Sequence, residues 1–239
     1  MDKKLVTIGG GLIKGYNFET KDDKQLFYQT ESIDKEIVKL SNKKNPKLLF
    51  IGTASKENNL YYKAIKNIYE NFGCIVDKLE IIGKEAKNCE EFKEKVLTAD
   101  IIYIGGGNTK FMLSEWNRIN LIKILKEAYE NGIVMSGFSA GSYCWYKYNY
   151  ELIEGMGVIP AINCVHYNEK SKEKRKQFYE TIKNKNLPGI ALDNGTAIEF
   201  INNEFKLIKS IKNAKAYKIE YKDNKFLEKE IKENIIYKI

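Results

Sequence analysis

The segment Gly137-Phe138-Ser139-Ala140-Gly141 carries the pattern G-x-S-x-G. An apolar run, Ile133–Gly137, leads into it, and a helix-compatible stretch follows. In that setting the pattern is typical of a nucleophile elbow, a tight turn that projects the serine hydroxyl into a crevice and requires small flanking residues. The N–H of Ala140 would then lie at the beginning of a helix, where it can stabilise an oxyanion. The pattern predicts that Ser139 is a nucleophile, and the alternative is an ordinary turn between strand and helix.

A serine nucleophile needs a base, and the sequence contains a single histidine, His166. This histidine follows a short apolar run and lies 27 residues after Ser139. If an imidazole activates Ser139, His166 is the only one available. An α/β-hydrolase places its acid between the serine and the histidine, separated by further strands. Because the only acids in this interval are Glu151 and Glu154, a standard α/β-hydrolase is disfavoured.

Two glycine clusters follow strand-like segments. Gly105–Gly107 comes after Ile101–Ile104, and consecutive glycines allow the backbone to approach a ligand closely and to point N–H groups at it. The spacing matches neither the dinucleotide fingerprint nor the P-loop, which argues against a nucleotide. Gly9–Gly11 also follows a strand-like run, but the next glycine, Gly15, is one residue out of the dinucleotide register. We interpret Gly9–Gly11 as a turn with no assigned chemistry.

The elements that must position these residues alternate between short apolar runs and longer amphipathic stretches. The predicted strands are Lys4–Ile8, Lys47–Ile51, Cys74–Ile82, Ile101–Ile104, Ile133–Gly137 and Gly189–Leu192. Near-continuous Ile, Val and Leu runs of this kind suit parallel strands that are buried on both faces. The alternation predicts an α/β fold with a doubly wound, mostly parallel sheet and helices on both faces. We expect one α/β domain over residues 1–239.

Two helical stretches and a change of pattern complete this prediction. Asn58–Phe72 carries an apolar stripe that includes Leu60, and Thr109–Asn131 reads as a second helical region. Beyond Thr196 the residues alternate between polar and apolar, with an Asn-rich turn at residues 201–204. This alternation predicts antiparallel strands added at one edge of the sheet.

Charge and composition exclude several classes of function. The formal charge is +8, from 40 Lys+Arg against 32 Asp+Glu, yet Arg118 and Arg175 are the only arginines. Base readout in nucleic-acid grooves favours arginine, and the lysines here alternate with acids as on solvated helix faces. We therefore expect no nucleic-acid partner. No run approaches the roughly 18 apolar residues of a membrane span, so we expect no membrane partner either.

The N-terminal segment and the cysteines bear on the location of the protein and on its cofactors. The N-terminal segment runs straight into a strand without the apolar core of a signal peptide, so we expect a cytoplasmic protein. The four cysteines show no close ligand spacing, and Cys164, two residues before the single histidine, lacks the further ligands that a metal site needs. We predict neither a metal nor an organic cofactor. The sequence leaves the oligomeric state open, a homodimer included.

Four segments together resemble the dipeptidase E (α-aspartyl dipeptidase) and cyanophycinase group of serine peptidases. They are Ile102–Thr109 (IYIGGGNT), Gly137–Ser142 (GFSAGS), Gly155–Tyr167 (GMGVIPAINCVHY) and Gly189–Ile198 (GIALDNGTAI). Their order and spacing match over roughly the first 200 residues, which is more specific than any one motif. The resemblance implies a fold similar to class I glutamine amidotransferases, which is flavodoxin-like, with serine in place of cysteine. It also implies that Ser139 is the nucleophile and His166 the general base, with Ala140 and a glycine of Gly105–Gly107, for which we favour Gly107, as oxyanion donors.

The third member of the triad departs from the family pattern. The family generally carries an acid, usually glutamate, at the position that matches Asn194. An asparagine can still orient an imidazole, as in papain-like enzymes, although it stabilises the imidazolium less than a carboxylate does. Asp193 is the next candidate, but neighbours on a strand point to opposite faces. Glu154 is weaker, because it precedes the histidine strand. We favour Asn194 by its position.

The resemblance implies a serine peptidase that hydrolyses short peptides. Family members that prefer N-terminal aspartate hold the substrate carboxylates with basic groups, and Arg175 is the candidate here. The alternative for Arg175 is a charge on the surface of a helix, among neighbouring lysines. Two rival functions stay open: a catalytically weakened member that acts in binding, suggested by Asn194, and an esterase or amidase acting on a non-peptide substrate.

Overall fold

The structure is a computed structural model and describes residues 1–11, 29–85 and 89–238. Its strands are β1 (Lys4–Ile8), β2 (Lys47–Ile51), β3 (Ile75–Leu79), β4 (Ile101–Ile104), β5 (Val134–Phe138), β6 (Tyr146–Asn149), β7 (Ile159–Cys164), β8 (Gly189–Leu192), β9 (Thr196–Ile201), β10 (Glu204–Lys209), β11 (Ala216–Lys222), β12 (Lys225–Glu230) and β13 (Tyr237–Lys238). Its helices are α1 (Glu31–Leu40), α2 (Asn59–Asn71), α3 (Cys89–Leu97), α4 (Thr109–Arg118), α5 (Leu121–Glu130), α6 (Ala140–Tyr143) and α7 (Lys172–Lys185). Gly15 lies outside the described residues.

An eight-stranded sheet has the order β13-β10-β9-β1-β5-β4-β2-β3. The strands from β1 to β3 in this order run parallel, whereas β9, β10 and β13 are antiparallel additions beside β1. Consecutive residues of β1 face opposite sides, so Leu5 packs with residues of α3 to α5 and Val6 with residues of α1 and α2. Helices therefore cover both faces. The predicted doubly wound α/β fold with antiparallel edge strands is confirmed.

A second, five-stranded sheet has the order β12-β11-β8-β7-β6. Strands β6, β7 and β8 are parallel, and β11 and β12 extend the sheet in antiparallel fashion. Helix α7 packs on it through Phe178 and Ile182, which join Ile162 and Ala191 in one buried cluster. The predicted strand Gly189–Leu192 is therefore present as β8, but it belongs to this sheet and not to the parallel one.

The local predictions hold in outline and fail at particular residues. Asn58 caps α2 by accepting a hydrogen bond from the N–H of Tyr61, as expected of an Asn at this position. Leu60, expected on the buried stripe, is 39% exposed. The stretch predicted as one helical region divides into α4 and α5, because Asn120 adopts a left-handed conformation (φ 58°) between them. Within the described residues, no helix is long and apolar enough to cross a membrane.

Candidate active site

The site forms where the carboxyl ends of strands from both sheets meet. Ser139 follows β5, Gly9 follows β1 and Gly105 follows β4, and these three strands are neighbours in the first sheet. His166 and Asn194 come shortly after β7 and β8 of the second sheet. Hydrogen bonds from the N–H groups of His166 and Gly195 to the carbonyls of Gly9 and Gly10, at 2.8 and 2.9 Å, join the two groups of loops. This is the edge at which open α/β sheets place their ligands.

The turn around Ser139 is tight and strained. Ser139 is the non-helical residue between β5 and α6, with φ 53° and ψ −107°, a strained conformation for a residue with a side chain. The two flanking glycines are required sterically, because a Cβ at Gly137 would lie 1.9 Å from the carbonyl oxygen of Gly141. A Cβ at Gly141 would in turn lie 2.2 Å from the carbonyl oxygen of Ile104. The sequence pattern therefore reflects close packing of three backbone segments.

Ser139, His166 and Asn194 form a continuous line of hydrogen bonds. The distance from Ser139 Oγ to His166 Nε2 is 3.0 Å, and that from His166 Nδ1 to Asn194 Oδ1 is 2.7 Å. An amide oxygen can only accept, so Nδ1 carries the proton and Nε2 offers its lone pair to the serine hydroxyl. This is the tautomer in which a histidine can remove a proton from Ser139.

The surroundings of His166 keep its imidazole neutral. Burial lowers the pKa of His166 from its ordinary value because the charged form loses hydration, and the bond to Asn194 offsets part of this effect. The Lys170 ammonium lowers the pKa further, whereas the Glu169 carboxylate raises it. The side chain of His166 is 27% exposed, and Ser139 is also partly exposed, so the reacting atoms remain accessible from solvent. A neutral, accessible imidazole is the form that acts as a general base.

Gly10 packs directly against the bond between His166 and Asn194. A Cβ at this position would lie 2.3 Å from both His166 Nδ1 and Asn194 Oδ1, and the backbone has φ 135°. Only glycine fits here, for reasons of both space and conformation. From the sequence alone, Gly9–Gly11 is a turn with no assigned chemistry. The structure gives this glycine a place in the wall of the site, which no spacing rule in the sequence could have indicated.

The two predicted oxyanion donors are backbone N–H groups in the segments that follow β4 and β5. Gly105 donates its N–H to the carbonyl of Ile51, and Gly106 donates its N–H to the hydroxyl of Tyr61 at 3.2 Å. No acceptor within the described residues takes the N–H of Gly107 or that of Ala140. Gly106 itself borders Ser139, since a Cβ there would be 3.3 Å from the Ser139 Cβ. This arrangement is consistent with the predicted pair of donors, Gly107 and Ala140.

The other two candidates for the third member of the triad, Asp193 and Glu154, bind groups other than His166. The carboxylate of Asp193 accepts a hydrogen bond from the N–H of Lys215 at 2.9 Å, and burial raises its pKa. Glu154 pairs with Lys147 at 2.5 Å and is 58% exposed. Of the three residues proposed from sequence, only Asn194 has a side chain that hydrogen-bonds His166. The main chain of Asn194 is also held, because its N–H donates to Asn168 Oδ1 at 2.9 Å.

Arg175 lies on α7 beside the turn that carries His166. Its guanidinium stacks on the ring of Tyr167 at 4.4 Å from the centroid and donates to the Tyr167 carbonyl at 3.0 Å. Its Nε is buried and has no hydrogen-bond partner among the described residues. The guanidinium is therefore held in a fixed orientation by one face and one N–H group.

No cluster of three His, Cys, Asp or Glu side chains in the described parts of the chain is arranged to hold a metal ion.

Comparison with known proteins identifies the family. The model of peptidase family S51 matches residues 23–208. The chain belongs to peptidase family S51. It is therefore a serine-type peptidase. The uncharacterized peptidase YgaJ of Bacillus subtilis (strain 168) is 29% identical over 235 residues, which cover 95% of this chain and 96% of YgaJ.

One further relative and one solved structure are also similar to the chain. Peptidase E of Haemophilus influenzae (strain ATCC 51907 / DSM 11121 / KW20 / Rd) is 34% identical over 82 residues, or 34% of each chain. The crystal structure of a peptidase from an acI-B1 actinobacterium superposes with a TM-score of 0.72, covering 100% of this chain and 98% of that one at 18% identity. At that identity the superposition shows a shared fold. The expected resemblance to dipeptidase E is confirmed at the level of the family.

Proposed function

We propose that this S51 peptidase hydrolyses short peptides through a triad of Ser139, His166 and Asn194. The observation that carries the proposal is the line of two hydrogen bonds, 3.0 and 2.7 Å long, that leads from the serine of a strained elbow to the amide of Asn194. A nucleophile, a base and an orienting group lie in the order that acyl transfer needs. The partly exposed serine leaves room for a substrate carbonyl to approach.

In the proposed mechanism Ser139 Oγ attacks the peptide carbonyl while its proton passes to His166 Nε2. The tetrahedral oxyanion accepts hydrogen bonds from the N–H groups of Gly107 and Ala140. His166 then gives the proton to the leaving amine, and the C–N bond breaks to leave an acyl-enzyme. Water attacks the acyl group with His166 again as the base, which releases the acid and restores Ser139.

In this mechanism Asn194 orients the imidazole of His166 and supplies no charge. Its Oδ1 holds Nδ1–H in place during both proton transfers, as the asparagine of papain-like enzymes does. Burial already favours the neutral imidazole, so the base is ready at neutral pH. The geometry therefore supports a working peptidase in preference to a member that only binds.

For the substrate we propose a small peptide with a carboxylate near the scissile bond, held by Arg175. The guanidinium is oriented in advance by Tyr167, and an oriented planar fork suits a carboxylate. We also propose a cytoplasmic setting, which the four free cysteines support because thiols stay reduced there.

A dipeptide library tests the proposal. Wild type, Ser139→Ala and a control, Ser114→Ala, are incubated with dipeptides that include N-terminal Asp, Asn and Leu, and products are followed by mass spectrometry. Ser114 is an exposed serine on α4, so its replacement controls for preparation. We expect hydrolysis by wild type and by Ser114→Ala, and loss of at least about 10³-fold in Ser139→Ala. Equal turnover by all three would assign the activity to another residue or to a contaminant.

A further inference from the structure

The amide of Asn194 leaves one requirement of the site unmet. When His166 takes a proton it becomes an imidazolium in a largely buried position, and an amide carries no negative charge to balance it. An asparagine side chain can also rotate by 180°, which would present its NH₂ group to His166 and favour the wrong tautomer. A group beyond Asn194 is needed to fix the amide and to supply charge.

Glu169 occupies that position. One of its carboxylate oxygens accepts a hydrogen bond from Asn194 Nδ2, and the other lies 3.9 Å from His166 Nδ1. The residue before it, Asn168, accepts from the backbone N–H of Asn194 at 2.9 Å. The short turn Tyr167–Glu169, which comes directly after His166, therefore holds Asn194 at two points.

The direction of these bonds fixes the orientation of every group in the hydrogen-bond relay, the chain of bonds that links Asn194, His166 and Ser139. A carboxylate only accepts hydrogen bonds, so the amide must present Nδ2 to Glu169 and Oδ1 to His166. That orientation places the imidazole proton on Nδ1 and leaves the lone pair of Nε2 for Ser139. One exposed acid thus determines the tautomer of the base two residues along the relay.

Charge reinforces this orientation. Among the described residues, Glu169 is the one carboxylate within 4 Å of the His166 ring. The Asp193 carboxylate accepts a hydrogen bond from the backbone N–H of Lys215 and makes none to His166 among the described residues. The Lys170 ammonium also acts on the ring, and it opposes protonation of His166. Glu169 is therefore placed to offset Lys170 when the imidazolium forms.

We propose that Glu169 is a positioning residue of the peptidase, which locks the Asn194 amide in its productive orientation and supplies the negative charge that the amide lacks. This inference rests on the proposed Ser-His-Asn mechanism. It replaces a three-residue relay by one of four residues, Ser139, His166, Asn194 and Glu169.

Two substitutions separate orientation from charge. Glu169→Gln removes the charge but keeps an oxygen that accepts from Asn194, whereas Glu169→Ala removes both. Glu180→Gln is the control, because Glu180 is 60% exposed against 61% for Glu169 and lies on α7. Glu169→Asp tests rescue by a shorter carboxylate. We expect kcat for a hydrolysed dipeptide to fall about tenfold or more in Glu169→Ala, less in Glu169→Gln and little in Glu180→Gln, with KM changed little.

The single histidine provides a readout that does not depend on turnover. In protein labelled with ¹⁵N-histidine, NMR reports the tautomer and the pKa of His166 without interference from any other imidazole. We expect the Nδ1–H tautomer in wild type, mixed tautomers in Glu169→Ala, and a lower pKa of His166 in both Glu169→Ala and Glu169→Gln. A wild-type tautomer, pKa and kcat in Glu169→Ala would overturn the assignment. If wild type hydrolyses no peptide, the proposed function fails, and the NMR comparison still decides whether Glu169 positions His166.

Discussion

The substitution Gly10→Ala tests the geometry of the site at a position outside the triad. The new Cβ would lie 2.3 Å from His166 Nδ1 and 2.3 Å from Asn194 Oδ1, whereas ordinary contact begins at 3.4 Å. One or both groups must then move by roughly 1 Å, and a displacement of that size at reacting groups costs about 100-fold in rate. The 2.7 Å bond between them would be lost. We therefore expect kcat to fall by about 100-fold or more.

Gly11→Ala is a matched control for backbone strain. Gly10 and Gly11 have almost the same φ, 135° and 133°, so an alanine is strained to a similar degree at either position. At Gly11, however, the three nearest atoms to a new Cβ are Gln29 Cβ at 3.4 Å and Gln29 Oε1 and Gly195 N at 3.5 Å, all at ordinary contact distance. Each substitution is expected to cost about 1–3 kcal/mol of stability through backbone strain. Only Gly10→Ala should also disrupt the relay.

The assay compares kcat for one hydrolysed dipeptide with thermal unfolding of the same preparations. For a protein of this size each kcal/mol lowers Tm by about 2–4 °C, so both variants should unfold at lower temperature and remain folded at 25 °C. NMR of the single histidine should show a disturbed His166 only in Gly10→Ala. The reasoning is refuted if folded Gly10→Ala retains the kcat of Gly11→Ala, because the relay would then tolerate a methyl group in the space where the structure leaves none.

Three further predictions concern pH, the third residue of the relay and substrate binding. Burial lowers the pKa of His166, so the base stays neutral below the ordinary imidazole pKa of about 6.5. We therefore expect kcat/KM, measured from pH 4 to 9, to fall only below that value. A midpoint above it would contradict a lowered pKa of His166. Asn194→Ala should lower kcat about 10²- to 10⁴-fold, whereas Asp193→Asn should change it by less than about threefold and destabilise the fold by about 1 kcal/mol; equal kinetic losses would show that the orienting residue is misassigned. Arg175→Met should lower kcat/KM for Asp-Leu and spare Asn-Leu, and an equal loss on both would indicate a purely structural role for Arg175.

The sequence predicted those parts of the molecule that depend on local pattern. Buried runs such as Leu48–Ile51 can only be satisfied within a covered sheet, so most of the parallel strands were predictable within a residue. The predicted strand Cys74–Ile82 is longer than β3, which ends at Leu79. The tight turn at Ser139 was predictable because Gly137 and Gly141 leave room for neighbouring backbone. The break between α4 and α5 was missed because the apolar pattern continues across Asn120, whose left-handed conformation leaves no mark in hydrophobic periodicity.

Other parts depend on pairing between distant segments. β8 has the apolar character of a parallel strand, and it does have a parallel neighbour, but in a second sheet whose existence depends on pairing with β7 and β11. Gly10 and Glu169 could not be assigned from spacing. Gly10 lies 156 residues before His166 and 184 before Asn194 in the sequence, and Glu169 is an exposed acid among lysines. Their roles follow from contacts that only the folded chain creates. The contact between Asn194 and His166, in contrast, was predictable from the position of Asn194 in a matched segment.

The most direct test of the central claim is the rate at which a fluorophosphonate labels Ser139, followed by intact mass and peptide mapping. Phosphonylation requires an activated serine but no knowledge of the natural peptide. We predict a single adduct, on Ser139, in the wild-type protein, no adduct in Ser139→Ala and labelling slower by at least about 10²-fold in His166→Ala, where no second imidazole can substitute. An adduct on another residue, or equal labelling of wild type and His166→Ala, would contradict the claim that His166 activates Ser139.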